Sequence, residues 1–81
     1  MAAHRAWVEK MRRESAKEIS DLMVDIGRRL NESLRNVQAK ESEADFRAYR
    51  DAVSKIMMAM LEEVMTPLYA EHPEVKPPEL K

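Results

Sequence analysis

The sequence contains no cysteine, so no disulfide bond can reinforce the small core that an 81-residue chain is able to build. Glycine occurs once, proline four times, and aromatic residues make up only 5% of the chain. These are poor materials for a β-rich fold, whereas 36% charged residues suit long, solvated helices. The composition therefore predicts an all-α fold.

A large excess of one charge sign is also missing, because the net charge is −1. Residues 1–40 carry nine Lys and Arg against six Asp and Glu, and residues 41–81 carry five against nine. The opposite signs favour pairing of the two halves with each other. The near-neutral total argues against a dedicated nucleic-acid-binding protein, since affinity for phosphates comes mainly from uncompensated basic charge.

Long apolar runs and recognisable catalytic motifs are absent from the sequence. There is no stretch of about 18 apolar residues and no N-terminal apolar region of the secretory type, so we expect a cytoplasmic protein without membrane spans. There is no Gly-rich phosphate loop and no Ser/His/Asp set, and neither histidine follows a glutamate by three residues as in di-iron bundles. We expect no enzymatic activity, no metal and no cofactor.

Apolar residues recur at three- and four-residue intervals and predict a helix over residues 3–38. The stretch AKESEAD interrupts this pattern, and Ser42 with Asp45 three residues later resembles a capping box that opens a second helix over residues 43–71. Thr66 and Pro67 predict a break in that helix near residues 66–67. Residues 73–81 contain three prolines and are predicted to form an extended tail. The predicted face of the first helix consists of Val8, Met11, Ile19, Leu22, Ile26, Leu30, Leu34 and Val37.

The short connection predicts that residues 1–72 form a two-helix antiparallel hairpin. In that arrangement, residues whose numbers sum to about 81 lie opposite each other, so Ile26 is expected near Ile56 and Leu22 near Met60. Gly27 is mid-helix, where glycine costs about 1 kcal/mol relative to alanine. It indicates either a close backbone approach or a local bend.

The segment KIMMAMLEEVM, residues 55–65, holds four of the seven methionines and is apolar almost all the way round. On a helical wheel, one apolar stripe of this helix faces the first helix, and a second stripe lies beside it. One partner helix cannot cover both stripes, and soluble monomers rarely expose such a patch. The second stripe, with Tyr69 beside it, consists of Met58, Leu61, Met65 and Leu68.

We therefore predict that the second stripe is a contact surface. The simplest cover is a second copy of the chain, which would make a homodimeric four-helix bundle. The alternatives are a different protein, against which flexible methionines can repack, or the C-terminal tail folded back. The predicted function is that of a non-catalytic protein–protein interaction module, such as a small adaptor, chaperone or inhibitor.

The alternative prediction is RNA or other nucleic-acid binding by a dimeric helical hairpin. Arginines run along the first helix and could contact phosphates. Acidic residues such as Glu14, Asp25 and Glu32 interleave with them and neutralise much of their field, which makes this function the less favoured of the two. The candidate contacts are Arg12, Arg28, Arg29 and Arg35.

Overall fold

The computed structural model describes residues 6–78, and within that range all of the regular secondary structure is helical, with no β-strand. The predicted all-α class is confirmed. In chain order, the elements are α1 (Ala6–Glu9), α2 (Arg13–Lys40), α3 (Glu43–Ala59), a π-helical segment (Met60–Met65), α4 (Thr66–Glu71) and a 3₁₀ turn (Pro73–Val75).

The first predicted helix, over residues 3–38, differs from the structure, which separates α1 from α2. Residues 3–5 lie outside the described range, and α2 continues to Lys40. Arg12 precedes α2 in an extended conformation (φ −76°, ψ 154°) without a side-chain cap. No glycine or proline marks this break. Tertiary packing accounts for it, because Val8 of α1 is buried in a cluster with Leu68 and Val75 from the other end of the chain.

The start of α3 follows directly from the local sequence. Ser42 is the N-cap, and its side-chain oxygen accepts a hydrogen bond from the Asp45 backbone N–H at 3.1 Å. This bond satisfies one of the amide donors that a helix start leaves unpaired. The predicted position of the second helix start is confirmed.

The end of α3 departs from ordinary α-helical geometry without losing its helical course. The Thr66 backbone N–H bonds to the Leu61 carbonyl, five residues back, as in a π-helix. Met65 and Thr66 both have helical dihedral angles, so the chain remains helical through Pro67, and the discontinuity at the predicted position is a change from π-helical to α-helical geometry at Thr66. Proline removes an amide donor and crowds the preceding turn, and wider turns are one way to accommodate it.

Two hydroxyl pairs show how α2 lies against the later elements. The Ser33 and Tyr49 hydroxyl oxygens are 2.7 Å apart, and those of Ser20 and Tyr69 are also 2.7 Å apart. Residue numbers therefore fall along α2 while they rise along α3 and α4. The Ser20 hydroxyl also donates to the Val75 carbonyl at 3.0 Å, which fixes the 3₁₀ turn against α2.

The main core cluster is small and lies where α1, α4 and the 3₁₀ turn pack against the first part of α2. Ser20 is fully buried there and is the one buried polar residue among those described. From residue 24 to residue 52, no residue is buried. The far half of the α2–α3 pair therefore has no core of its own. The buried apolar residues are Val8, Ala16, Met23, Val53, Pro67, Leu68 and Val75.

Two features of the predicted packing are wrong. Leu22 and Ile56 were expected to face the opposite helix, but they are 51% and 49% exposed. The face of α2 that is buried instead contains Ala16, Ser20 and Met23. The predicted extended tail also differs, because Pro73–Val75 form a 3₁₀ turn and Val75 is buried; residues 79–81 lie outside the described range.

Candidate protein-contact surface

An apolar groove of about 470 Å³ lies between α2 and the α3–π segment, and we call it the methionine groove. Its polar rim is on α2 and includes Arg28, Asn31 and Arg35, and Gly27 lies between them and the apolar wall. Methionine side chains are flexible and polarizable, so such a wall can adapt to an apolar ligand surface. The apolar wall consists of Met23, Val24, Met57, Met60, Leu61 and Met65.

Three of the predicted contact residues lie in or beside this groove. Leu61 is 46% exposed and Met65 is half-buried, and both line the groove. Met58 is 52% exposed on the same helix. We call the exposed part of the α3–π segment formed by Met58, Leu61 and Glu62 the ridge. Ridge and groove together form an uncovered apolar surface.

The other two predicted contact residues belong to the core. Leu68 is fully buried, and Tyr69 is half-buried and bonded to Ser20. A π-turn takes in one more residue than an α-turn, so residues after it are turned back by one residue position, roughly 100°, compared with an uninterrupted α-helix. The wheel that placed Leu68 beside Leu61 assumed an uninterrupted α-helix, and that placement is wrong.

Gly27 has open space above it. A Cβ atom added there would meet nothing within 4 Å beyond the helix's own backbone, so the predicted close approach within the chain is wrong. No described glycine has a positive φ, so the backbone conformation does not require glycine at this position either. The open space above Gly27 belongs to the methionine groove.

The four candidate arginines do not share one face. Arg28 and Arg35 lie on the groove rim, seven residues apart on α2, whereas Arg29 is exposed outside the groove and Arg12 precedes the helix. Arg28 forms an ion pair with Asp25 of the same helix, so its charge is partly neutralised. The structure does not gather these arginines into one basic surface.

A second cavity, of about 560 Å³, lies between α2 and residues 74–78. Its lining is mainly charged and contains both signs, including Lys17, Asp21, Arg28 and Lys76. Lys17 already binds Asp21 at 2.8 Å, so part of this charge is neutralised within the chain. In the part of the chain that the structure describes, no three His, Asp or Glu side chains form a metal-like group, and no buried side-chain polar atom lacks a partner.

One carboxylate beside this cavity has a shifted pKa. A hydrogen bond from its own backbone N–H is the main cause that holds the pKa of Glu74 below its ordinary value, and partial desolvation acts in the opposite direction. His72 Nδ1 at 3.3 Å and Arg13 Nε at 4.0 Å from the carboxylate add to the lowering. The contact with Arg13 links the 3₁₀ turn to α2 through an exposed ion pair, and such pairs contribute little to stability.

The buried face of α2 carried a sequence pattern that apolar periodicity missed. Ala16, Ser20, Met23 and Gly27 follow one another at four-, three- and four-residue spacing, which places them on one helix face. Because three of these four residues are small, a search for large apolar residues selected the neighbouring stripe with Leu22. The signal in the sequence that marks both buried Ser20 and groove-lining Gly27 is the recurrence of small residues at helical spacing.

Comparison with known proteins yields no match for this chain among protein-family models, curated proteins or solved structures. Within residues 6–78, no helix combines the length and the apolar character needed to cross a bilayer.

Proposed function

We propose that the protein is a non-catalytic protein–protein interaction module, acting as a small adaptor, chaperone or inhibitor. In this proposal, the chain is an antiparallel helical hairpin that associates with a second copy through its methionine-rich face and forms a four-helix bundle. The supporting observation is the exposed ridge beside the open methionine groove. In addition, no residue from 24 to 52, in the second part of α2 and the first part of α3, is buried.

The small core of the chain supports association. No residue from 24 to 52 is buried, and Met58 and Leu61 are about half exposed. A standard protein interface buries roughly 800 Å² of each partner. A small domain without disulfides gains most from such burial, because its own core contributes little.

The shape of the molecule is consistent with half of a bundle. Its extents are 46 × 26 × 18 Å, so it is long and thin. A second layer of two helices packed on the groove side would bury the methionines from both directions, as in four-helix bundles. The same face is apolar in its centre and charged at its rim, which is the usual organisation of a protein interface.

Light scattering on a sizing column, with protein loaded over a hundredfold range of concentration, tests the proposal. We expect a mass that is a multiple of 9.4 kDa, decreasing toward that value on dilution. The double variant M58E/L61E should be monomeric at concentrations where the parent associates, and should retain its helical circular dichroism. A parent protein that stays monomeric over the whole range would refute self-association.

The double variant L22E/I56E is a matched control. Leu22 and Ile56 are as exposed as Met58 and Leu61 but do not line the groove. The control introduces the same charges, so the proposal expects it to associate like the parent. If L22E/I56E dissociated the protein and M58E/L61E did not, the contact surface would be on the other side of the helix pair.

A further inference from the structure

We infer that the methionine groove of each subunit receives the ridge of a second copy, so that Glu62 of one subunit lies against Arg28 and Arg35 of the other. This inference rests on the proposed self-association and specifies its geometry. In a two-fold dimer, the same pair of surfaces meets twice, since each subunit offers both a groove and a ridge.

The chemistry of the groove favours an apolar protein surface as its ligand. Small-molecule sites combine apolar walls with a few buried polar groups that orient the ligand. Among the described residues, no buried side-chain polar atom lacks a partner, so no unsatisfied group in the groove selects a polar ligand. The exposed side chains of Met58, beside the groove, and Leu61, at its edge, are apolar and therefore available to occupy the groove of a second copy.

Gly27 provides an independent argument for close approach by another chain. Glycine in a helix interior costs about 1 kcal/mol relative to alanine. Neither its backbone conformation nor any contact within the chain requires glycine here. A side chain from a second copy, seated over the helix backbone in the groove, would make use of the missing Cβ.

Charge complementarity orients the contact. Arg28 and Arg35 border the groove on the α2 side and are exposed. Glu62 follows Leu61 on the ridge and is also exposed. The ion pair between Arg28 and Asp25 is exposed, and such pairs contribute little, so it does not prevent Arg28 from facing a second carboxylate. Charges at the rim of an interface set the register of the partners more than their affinity.

Sedimentation equilibrium with charge-reversal variants of the full chain tests this pairing. R35E should raise the dimer dissociation constant roughly tenfold, because reversing one charge of a pair replaces attraction by repulsion. E62R should do the same, and the double variant R35E/E62R should recover most of the lost affinity. R29E is the matched control, since Arg29 is exposed on the same helix but does not line the groove.

The substitution G27A separates folding from association. The added methyl group meets nothing within 4 Å beyond the adjacent residues and the helix's own backbone, and it improves helix propensity, so the helical content should be unchanged or higher. Its dimer dissociation constant should nevertheless rise, and that of G27L should rise further. A stable fold with weaker association is a result that a merely structural role for Gly27 does not produce.

The outcomes distinguish this inference from the proposed function. If the parent protein associates but R35E behaves like R29E and the double variant R35E/E62R recovers nothing, the geometry is wrong while self-association stands. If G27L associates as tightly as the parent, the groove is not occupied, and the geometry is again wrong. If the parent is monomeric throughout, the proposed self-association fails and this inference fails with it.

Discussion

The hydroxyl groups of Ser20 and Tyr69 are 49 positions apart in the chain and 2.7 Å apart in space. Because the Ser20 hydroxyl donates to the Val75 carbonyl, the tyrosine hydroxyl donates to Ser20. One buried hydroxyl therefore connects α2 to both α4 and the 3₁₀ turn. This arrangement closes the end of the molecule that contains the core.

Removing the Ser20 hydroxyl should destabilise the protein more than removing the Tyr69 hydroxyl. We expect S20A to lower the free energy of unfolding by about 1–3 kcal/mol, since it leaves the Val75 carbonyl without its partner, and Y69F by about 0.5–1.5 kcal/mol. Urea unfolding of the parent, S20A and Y69F at one protein concentration measures these changes in the free energy of unfolding. The double variant S20A/Y69F should lose less than the sum, and strict additivity would show that the two hydroxyls do not interact.

S33A is a control for that experiment. Ser33 and Tyr49 form a hydroxyl pair of the same length, but Ser33 is only half-buried. Water can replace the lost partner there, so the loss should be smaller than for S20A.

The placement of Leu68 in the core predicts a large effect on stability. L68A should lower the free energy of unfolding by about 2–5 kcal/mol, the range for truncation of a buried leucine. L22A, at a leucine that is 51% exposed, should change it by less than about 0.5 kcal/mol. Equal effects of the two substitutions in thermal or urea unfolding would contradict the packing described above.

The pKa of Glu74 predicts a weak dependence of stability on pH. A carboxyl whose pKa is lower in the folded than in the unfolded state stabilises the fold above the unfolded pKa, here about the ordinary 4.5, and loses that contribution as pH falls through the folded value. The stability difference between the parent and E74Q should therefore be constant near neutral pH and shrink below pH 4.5. Unfolding midpoints recorded from pH 7 to pH 3 check it, and a difference that grows on acidification would contradict the sign.

Nucleic-acid binding remains the alternative prediction, and a mobility-shift experiment separates it from protein association. The candidate arginines are dispersed over α2 and the residue before it, and they are interleaved with acidic residues, so we expect no salt-sensitive shift of RNA by the parent protein at low salt. A shift that R28E/R29E abolishes would instead support the alternative.

The fold class and the start of α3 could be predicted because they depend on local properties. Composition excluded a β-rich fold, and Ser42 caps α3 through the Asp45 amide as its spacing predicts. The break before α2 could not be predicted in the same way. No local residue requires it, and the break accompanies burial of Val8 against Leu68 and Val75, which are far away in the sequence.

The candidate contact surface was predictable as far as the helix remained α-helical. Met58, Leu61 and Met65 lie in or beside the groove, and the prediction failed at Leu68, after the π-helical segment. Apolar periodicity does not indicate a π-turn. Pro67 is the one local residue that favours an interruption of the backbone hydrogen bonds of the α-helix there. The position of Gly27 suggests a close approach from the sequence alone, but the residue type does not show whether the same chain or another one approaches it.

The π-helical segment has a consequence for the tolerance of the chain to changes in length. Residues before Met60 and after Met65 belong to two helical phases that differ by one position, as if one residue had been inserted into an α-helix. Deleting a single residue between them would remove the π-turn and leave Leu68 on its present, core-facing side of an ordinary α-helix. Closing the π-turn without a deletion would instead rotate Leu68 by roughly 100° toward the side of Leu61 and extend the outer apolar surface at the expense of the core. The π-turn therefore sets how the apolar side chains are divided between the inside of the protein and its outer surface.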